Sequence, residues 1–330
     1  MTKKRPRVFV TRAIAPDAIA KLRKHAQVEV WPRATPPPYA QILRRAREAD
    51  ALLTMVTDRI DADLVAAAPR LRVISNLAVG LDNIDVAAAT AAGIAVGHTP
   101  GVLTDATADL AFALLMTSAR RVAEGDREVR AGKWQTWGPS VLLGHDVWGA
   151  TLGIIGWGNI GRAMARRGLG FNMRVLYTSR SPVHIVGLPD ATRVPMTQLL
   201  RESDFVSIHV ALTPDTRHLI GAKELASMKP GAILINTARG GVVDQRALYR
   251  ALKSGHLGGA GLDVTTPEPI GSDDPILKLP NVVITPHIGS ASHTSRYRMA
   301  EIATDNIIEV MRGRLPRFCA NRGVTPRVIA

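Results

Sequence analysis

Short runs of β-branched residues alternate along the chain with Ala-rich stretches whose apolar positions recur at helical spacing. In the first hundred residues RVFVT, VEVW, ALLTM, LRVISN and IAVGH are predicted strands, and Pro16 to His25, Tyr39 to Ala49 and Asp61 to Ala68 are predicted helices. Such alternation implies a parallel sheet covered by helices. Pro36 to Pro38 fit only a loop, since each proline removes a backbone donor. From Leu103 to Gly132 the stretch LTDATADLAFALLMTSARRVAEGDREVRAG keeps helical spacing. It is more apolar than one amphipathic stripe requires, so a homodimer packed through the 103–148 region is expected. The Trp-rich loop KWQTWGPSVLLGHDVWG follows, and its pattern leaves two readings open: it serves the same interface, or it covers the core.

A second alternating series runs through TLGIIG, RVLYTS, FVSIHV, AILINTA, GAGLDV and VVITPHIG, with helices at Asn159 to Gly170, Lys223 to Met228 and Gln245 to Ser254. It predicts a second doubly wound sheet of about six strands. SRYRMAEIATDNIIEVMRG then reads as a closing helix before an irregular tail. The expected fold class is therefore α/β, with two doubly wound parallel-sheet domains and a cleft between them.

Composition narrows the picture. At 330 residues the chain is long for one core, and with aromatics at 4% that core is built mainly from Ala, Val, Leu and Ile. No apolar run reaches the roughly 20 residues needed to span a bilayer, and MTKKRPRVFVT lacks the apolar segment of a secretory signal, so no membrane partner and a cytoplasmic location are expected. The single cysteine, Cys319, excludes an internal disulfide and a Cys-rich metal cluster, and no metal site is expected. The net charge of +14 raises the question of nucleic acid. Its Lys and Arg are scattered through helices apart from KKRPR, which favours a solvated basic surface over a nucleic-acid face. Such a field attracts small anionic substrates and phosphorylated cofactors.

One stretch names the cofactor class. GIIGWGNIG places Gly156, Gly158 and Gly161 in GxGxxG spacing after an apolar strand and at the start of a helix. The first glycine permits the tight turn, the second lets a pyrophosphate approach the backbone, and the third lets helix and strand pack closely. Ser179 lies 18 positions beyond Gly161, close to where a dinucleotide fold normally carries an acid for the ribose hydroxyls. This chain has Ser179 and Arg180 there. A hydroxyl donor and a guanidinium suit a 2′-phosphate, so NADP(H) is expected in preference to NAD(H), with NAD(H) possible.

Three polar residues stand where the second sheet's apolar strands end: Arg239 after AILINTA, Glu268 after GAGLDVTTP, and His287 in VVITPHIGSAS. Together they fit reduction of a small 2-keto acid. That reaction needs a cation for the anion, a proton donor beside the carbonyl oxygen, and a carboxylate that keeps the donor charged. Arg239 would hold the substrate carboxylate or polarise the keto oxygen.

The stretches TARGGVVD, GLDVTTPEP and TPHIGSAS, with GWGNIG before them and NLAVGLDNID in the first domain, closely resemble the D-2-hydroxyacid dehydrogenase family, most of all its glyoxylate and hydroxypyruvate reductases. The likeness runs through nearly the whole chain. It implies that Arg239 binds and orients the substrate, that Glu268 pairs with His287, that His287 is the acid/base, and that Val79 and Gly80 offer backbone N–H groups to the substrate carboxylate. The resemblance implies cofactor contacts from Gly156, Trp157, Gly158, Asn159, Ile160 and Gly161, from Ser179, Arg180 and Ser181, from Thr237, Ala238 and Arg239, from Asp263 at the nicotinamide amide, and from His287 and Gly289. It also implies a flavodoxin-like substrate domain of residues 1–100 and 291–330 and a Rossmann cofactor domain of residues 101–290. Two positions depart from the pattern: His98 stands where relatives commonly have Asn, and Val141 where some have a large aromatic. The alternatives within the family are phosphoglycerate dehydrogenases, which often carry a further C-terminal domain, phosphonate dehydrogenases, which have Lys where this chain has Ala78, and a dinucleotide-sensing corepressor branch.

Overall fold

A computed structural model of the protein describes residues 5–180 and 190–327. The chain divides into two compact units, Met1–Leu103 with Ala291–Ala330 and Thr104–Ser290. Among the described residues no helix is long and apolar enough to cross a membrane.

In the first unit, strands β1 (Arg7–Val10), β2 (Gln27–Val30), β3 (Ala51–Thr54), β4 (Val73–Asn76) and β5 (Ala95–Gly97) form a sheet in the order β2-β1-β3-β4-β5, each pair parallel. That order is the flavodoxin-like one. Every residue of β3, β4 and β5 is buried, because helices cover both faces of a parallel sheet. Helices α1 (Pro16–Arg23), α2 (Tyr39–Ala46), α3 (Ala62–Ala66) and α4 (Val86–Ala91) come from the same segment. Asp61 and Asp85 cap α3 and α4 by accepting the Leu64 and Ala88 N–H groups. One face is filled by Phe9, Ile42, Leu52, Leu64, Ile74 and Ile94. The C-terminal segment returns to cover the sheet, as described below.

The second unit opens with α5 (Thr104–Ala119) and α6 (Val122–Arg130). Strands β6 (Thr151–Ile155), β7 (Arg174–Thr178), β8 (Ala191–Arg193), β9 (Phe205–Ile208), β10 (Ile233–Asn236), β11 (Gly259–Leu262) and β12 (Val282–Ile284) alternate with α7 (Asn159–Gly170), α8 (Met196–Glu202), α9 (Ala222–Ser227) and α10 (Gln245–Lys253). The sheet runs β12-β11-β10-β9-β6-β7-β8 and is parallel throughout. This is the Rossmann order with one further strand, and its topological switch point falls between β6 and β9. The final helix, α11 (His293–Met311), belongs to the first unit, where it packs on β3, β4 and β5, and Ser75 Oγ donates to the Ala303 carbonyl at 2.8 Å.

Four elements differ from expectation. The second sheet has seven strands among the described residues, because ATR pairs with β7 as an edge strand too short to carry a pattern. Helices α4 and α8 were not anticipated. The expected continuous helix to Gly132 breaks at Arg121, which adopts a left-handed conformation with φ 53°. The cause is the returning loop: His145 N–H donates to the Ala119 carbonyl at 2.8 Å, and a Cβ on Gly144 would lie 2.2 Å from that same oxygen. The α5 core stripe ends at Ala119, and α6 buries no residue. Val122, Val129, Trp134, Trp137, Val141, Leu143 and Trp148 are all exposed, whereas Val147 of the Trp-rich loop is buried in this unit's core.

Candidate active site

The dinucleotide turn follows β6 directly. Gly156 has φ +100°, and a Cβ there would lie 2.7 Å from the His209 carbonyl oxygen; one on Gly161 would lie 2.1 Å from the Gly156 carbonyl oxygen. At Gly158 a Cβ would meet nothing within 4 Å, leaving open space at the start of α7, where no side chain caps the helix. Uncapped N–H groups at a helix N-terminus facing open space form a phosphate cradle. Nearby in the fold, at the end of β10, the buried Thr237 Oγ1 has no hydrogen-bond partner among the described residues. These features fit a dinucleotide. Trp157 is buried and stacked on Tyr177 at 3.9 Å between ring centroids, so its indole is a core group and only its main chain is available to a ligand. The exposed Asn159 side chain accepts from Arg162 Nη2 at 2.6 Å through its Oδ1. Burial pushes the His209 imidazole down to about 4, so it is neutral near pH 7 and adds no charge against the turn. Gly156→Ala is expected to destabilise the unit by roughly 1–3 kcal/mol, because it forces a side chain into both a strained φ and a backbone contact. A thermal unfolding midpoint equal to the parent's would refute that account of the turn.

Ser179 and Arg180 follow β7. The Ser179 carbonyl accepts from Arg193 Nη2 at 2.9 Å. The Arg180 side chain is 84% exposed, with Nη1 3.9 Å from Asp215 Oδ2. Ser181 lies outside the described residues.

Arg239, Glu268 and His287 follow β10, β11 and β12, three neighbouring strands, so the topology brings their loops to one edge of the sheet's carboxyl end. Asn236 clamps the Arg239 loop, its Nδ2 donating to the Arg239 carbonyl at 2.9 Å and its Oδ1 accepting the Ala238 N–H at 3.0 Å. Gly240 abuts the next loop, since a Cβ there would fall 1.9 Å from the Thr265 carbonyl oxygen. His287 Nδ1 is hydrogen-bonded to Glu268 Oε1, and both side chains are partly exposed. His287 has φ 54°, an uncommon conformation for a residue with a Cβ. The buried Asp263 stabilises it. Its Oδ1 accepts from Thr285 Oγ1 at 2.6 Å and from Ile288 N–H at 2.8 Å, its Oδ2 accepts from Gly289 N–H at 2.7 Å, and its carbonyl accepts the His287 N–H at 3.0 Å. Asp263 and Gly289 thus shape the histidine loop. Asn236 and Thr285 went unnoticed in the sequence, because Asn236 works on main-chain groups and Thr285 on the carboxylate of Asp263, and neither leaves a residue-type signature.

In the first unit Val79 and Gly80 lie in the loop after β4. Their N–H groups make no hydrogen bond to any described residue, whereas their carbonyls are both engaged.

Comparison with known proteins agrees with this layout. The family model for the D-isomer specific 2-hydroxyacid dehydrogenase, NAD binding domain, matches residues 112–289. The glyoxylate reductase of Korarchaeum cryptofilum is 52% identical over 322 residues, covering 97% of each chain. A crystal structure of the TT0316 protein of Thermus thermophilus superposes with a TM-score of 0.90 at 50% identity, over 95% of this chain and 99% of that one. The NADPH-dependent glyoxylate/hydroxypyruvate reductase of Sinorhizobium meliloti, solved with NADP and malonate, gives a TM-score of 0.86 at 30% identity, over 99% and 100% of the two chains. With its parallel sheets, its glycine turn and its ordered strand-end residues, the chain belongs to the D-isomer-specific 2-hydroxyacid dehydrogenase family and is an NAD(P)-dependent dehydrogenase.

Proposed function

We propose that this chain reduces glyoxylate and hydroxypyruvate to glycolate and D-glycerate, preferring NADPH and accepting NADH, with His287 as the proton donor. The hydrogen bond between His287 Nδ1 and Glu268 carries the reading. With Nδ1 committed to the carboxylate, Nε2 is the ring atom left to meet a substrate oxygen. The bound nicotinamide supplies a hydride to the carbonyl carbon. His287 Nε2 delivers a proton to the oxygen, and Arg239 holds the substrate carboxylate or polarises the keto oxygen through its planar fork. Val79 and Gly80 offer N–H donors to the carboxylate. The dinucleotide is held by the Gly156–Gly161 turn, by Ser179 to Ser181, by Thr237 to Arg239, and by Asp263 with His287 and Gly289. In this reading residues 101–290 form the cofactor domain, and residues 1–100 and 291–330 the substrate domain. High identity to glyoxylate reductases over nearly the full length supports the substrate class. Parallel assays of NADPH and NADH against glyoxylate, hydroxypyruvate, pyruvate and phosphohydroxypyruvate test it; faster turnover of phosphohydroxypyruvate than of the first two would overturn it.

The cofactor preference rests on Ser179 and Arg180, the latter exposed and in loose contact with Asp215. Arg180→Ala is expected to lower kcat/KM for NADPH by about tenfold, a figure discounted for solvent screening, while NADH changes little. Equal losses with both cofactors would remove the assignment. The exposed large apolar side chains that fall between Val122 and Trp148 along the chain support a homodimer through the 103–148 region, since such exposed apolar surface marks an interaction site where it gathers. Sedimentation at a single-chain mass at micromolar concentration would exclude it.

A further inference from the structure

The carbonyls of Ala78, Val79 and Gly80 are each held by a different donor of the first unit. The Thr99 N–H donates to the Ala78 carbonyl at 2.8 Å, His98 Nδ1 lies 3.1 Å from the Val79 carbonyl oxygen, and Asn76 Nδ2 donates to the Gly80 carbonyl at 3.1 Å. A carbonyl only accepts, so His98 Nδ1 carries the proton in this contact. The Asn76 side chain and the His98 backbone are themselves fixed. Asn76 is fully buried, and its Oδ1 accepts from Thr54 Oγ1 at 3.0 Å. His98 is pinned through its backbone: its N–H donates to the Phe318 carbonyl at 3.1 Å, and its carbonyl accepts from Asn306 Nδ2 at 3.1 Å. Gly97 leaves room for that amide, since a Cβ there would lie 2.8 Å from Asn306 Nδ2.

We propose that His98 is a positioning residue for substrate: by donating from Nδ1 to the Val79 carbonyl it sets the peptide plane between Val79 and Gly80, and so aims the Gly80 N–H at the substrate carboxylate. This rests on the reading that the Val79 and Gly80 amides bind that carboxylate. The physical logic is the rigidity of the peptide unit. The Val79 carbonyl and the Gly80 N–H belong to one plane and point in opposite directions, so fixing the first fixes the second. A donor aimed before the ligand arrives loses no orientational freedom on binding.

The asparagine amide nitrogen stands the same number of bonds from Cα as histidine Nδ1, so His98→Asn keeps a donor in place, whereas His98→Leu keeps bulk and removes it. Carboxylate binding is shared by ground and transition states, so its loss appears in KM rather than in kcat. His98→Leu and His98→Ala, made in parallel so that one folding failure does not end the test, are expected to raise KM for glyoxylate about tenfold, with kcat and KM for NADPH within about twofold of the parent. His98→Asn is expected to return KM for glyoxylate to within about threefold of the parent value. A glyoxylate KM unchanged in both donorless variants overturns the proposal, and so does an asparagine variant that behaves like leucine. Gly80→Pro, which deletes the aimed N–H, separates this failure from that of the underlying reading. If Gly80→Pro raises KM for glyoxylate while the His98 variants do not, His98 alone is misassigned; if Gly80→Pro also leaves KM unchanged, the amide reading falls and the His98 proposal with it.

Discussion

His287→Ala is expected to lower kcat by roughly 10²–10⁴-fold, the range that a positioned general acid supplies, while the dissociation constant for NADPH stays close to the parent's. The argument runs from the loop outward. Asp263 secures the main chain at His287 and just after it, accepting the N–H groups of Ile288 and Gly289 on its side chain and that of His287 on its carbonyl. That frame is main-chain in origin and survives loss of the imidazole. The proton donor disappears, and Glu268 is left without its hydrogen-bond partner on Nδ1. Because residue 287 has a positive φ, alanine introduces strain of its own, and His287→Asn serves as a control, since Asn tolerates that region better. Single-turnover kinetics with NADPH and glyoxylate, alongside cofactor titration by fluorescence, read the two quantities separately. Loss of NADPH binding with an unaltered chemical step would contradict the assignment.

Arg239→Lys keeps the charge, yet it is expected to reduce kcat/KM for glyoxylate by about 10²-fold or more, equivalent to about 2.7 kcal/mol of transition-state stabilisation. Arg239 sits on a loop held at both ends. Asn236 bonds to the Arg239 carbonyl and the Ala238 N–H, and Gly240 packs against the Thr265 backbone so closely that no side chain fits between. The guanidinium is also oriented by a bond from its own Nη1 to the Ala238 carbonyl at 2.8 Å. A lysine on the same frame presents a point charge without the planar pair of donors, so a carboxylate loses its two-point grip. Steady-state kinetics with glyoxylate check this, and a lysine variant within about threefold of the parent would place substrate binding elsewhere.

Much of the architecture was legible because parallel strands buried on both faces must be written in β-branched residues. FVSI and ILIN show this directly, each buried at every position. The edge strand ATR has no such obligation, being paired on one side and exposed at two of its three residues, and it passed unseen. The break at Arg121 was hidden for a different reason. Helical spacing continues through it, and the interruption comes from a loop more than twenty residues downstream docking on the Ala119 carbonyl. In the candidate site the charged residues at strand ends stood out by type and place. The groups that hold those residues did not. Asn236 acts on a carbonyl and an N–H group, which every residue carries, and Thr285 acts on the side chain of Asp263, so only the folded geometry distinguishes them from ordinary polar positions; His98 stood out in the sequence, but its bond to the Val79 carbonyl did not.

The first unit is assembled from both ends of the polypeptide, and this has a bearing on biosynthesis. Its five strands leave the ribosome first, but the face of β3, β4 and β5 that α11 covers stays bare until more than three hundred residues have been made. The contiguous stretch Thr104–Ser290 suffers no such delay and completes its sheet beforehand. Until Ala303 and Ile307 arrive, the nascent chain lacks the residues that bury this face, and incomplete chains with apolar surface of that kind are the ones prone to aggregate.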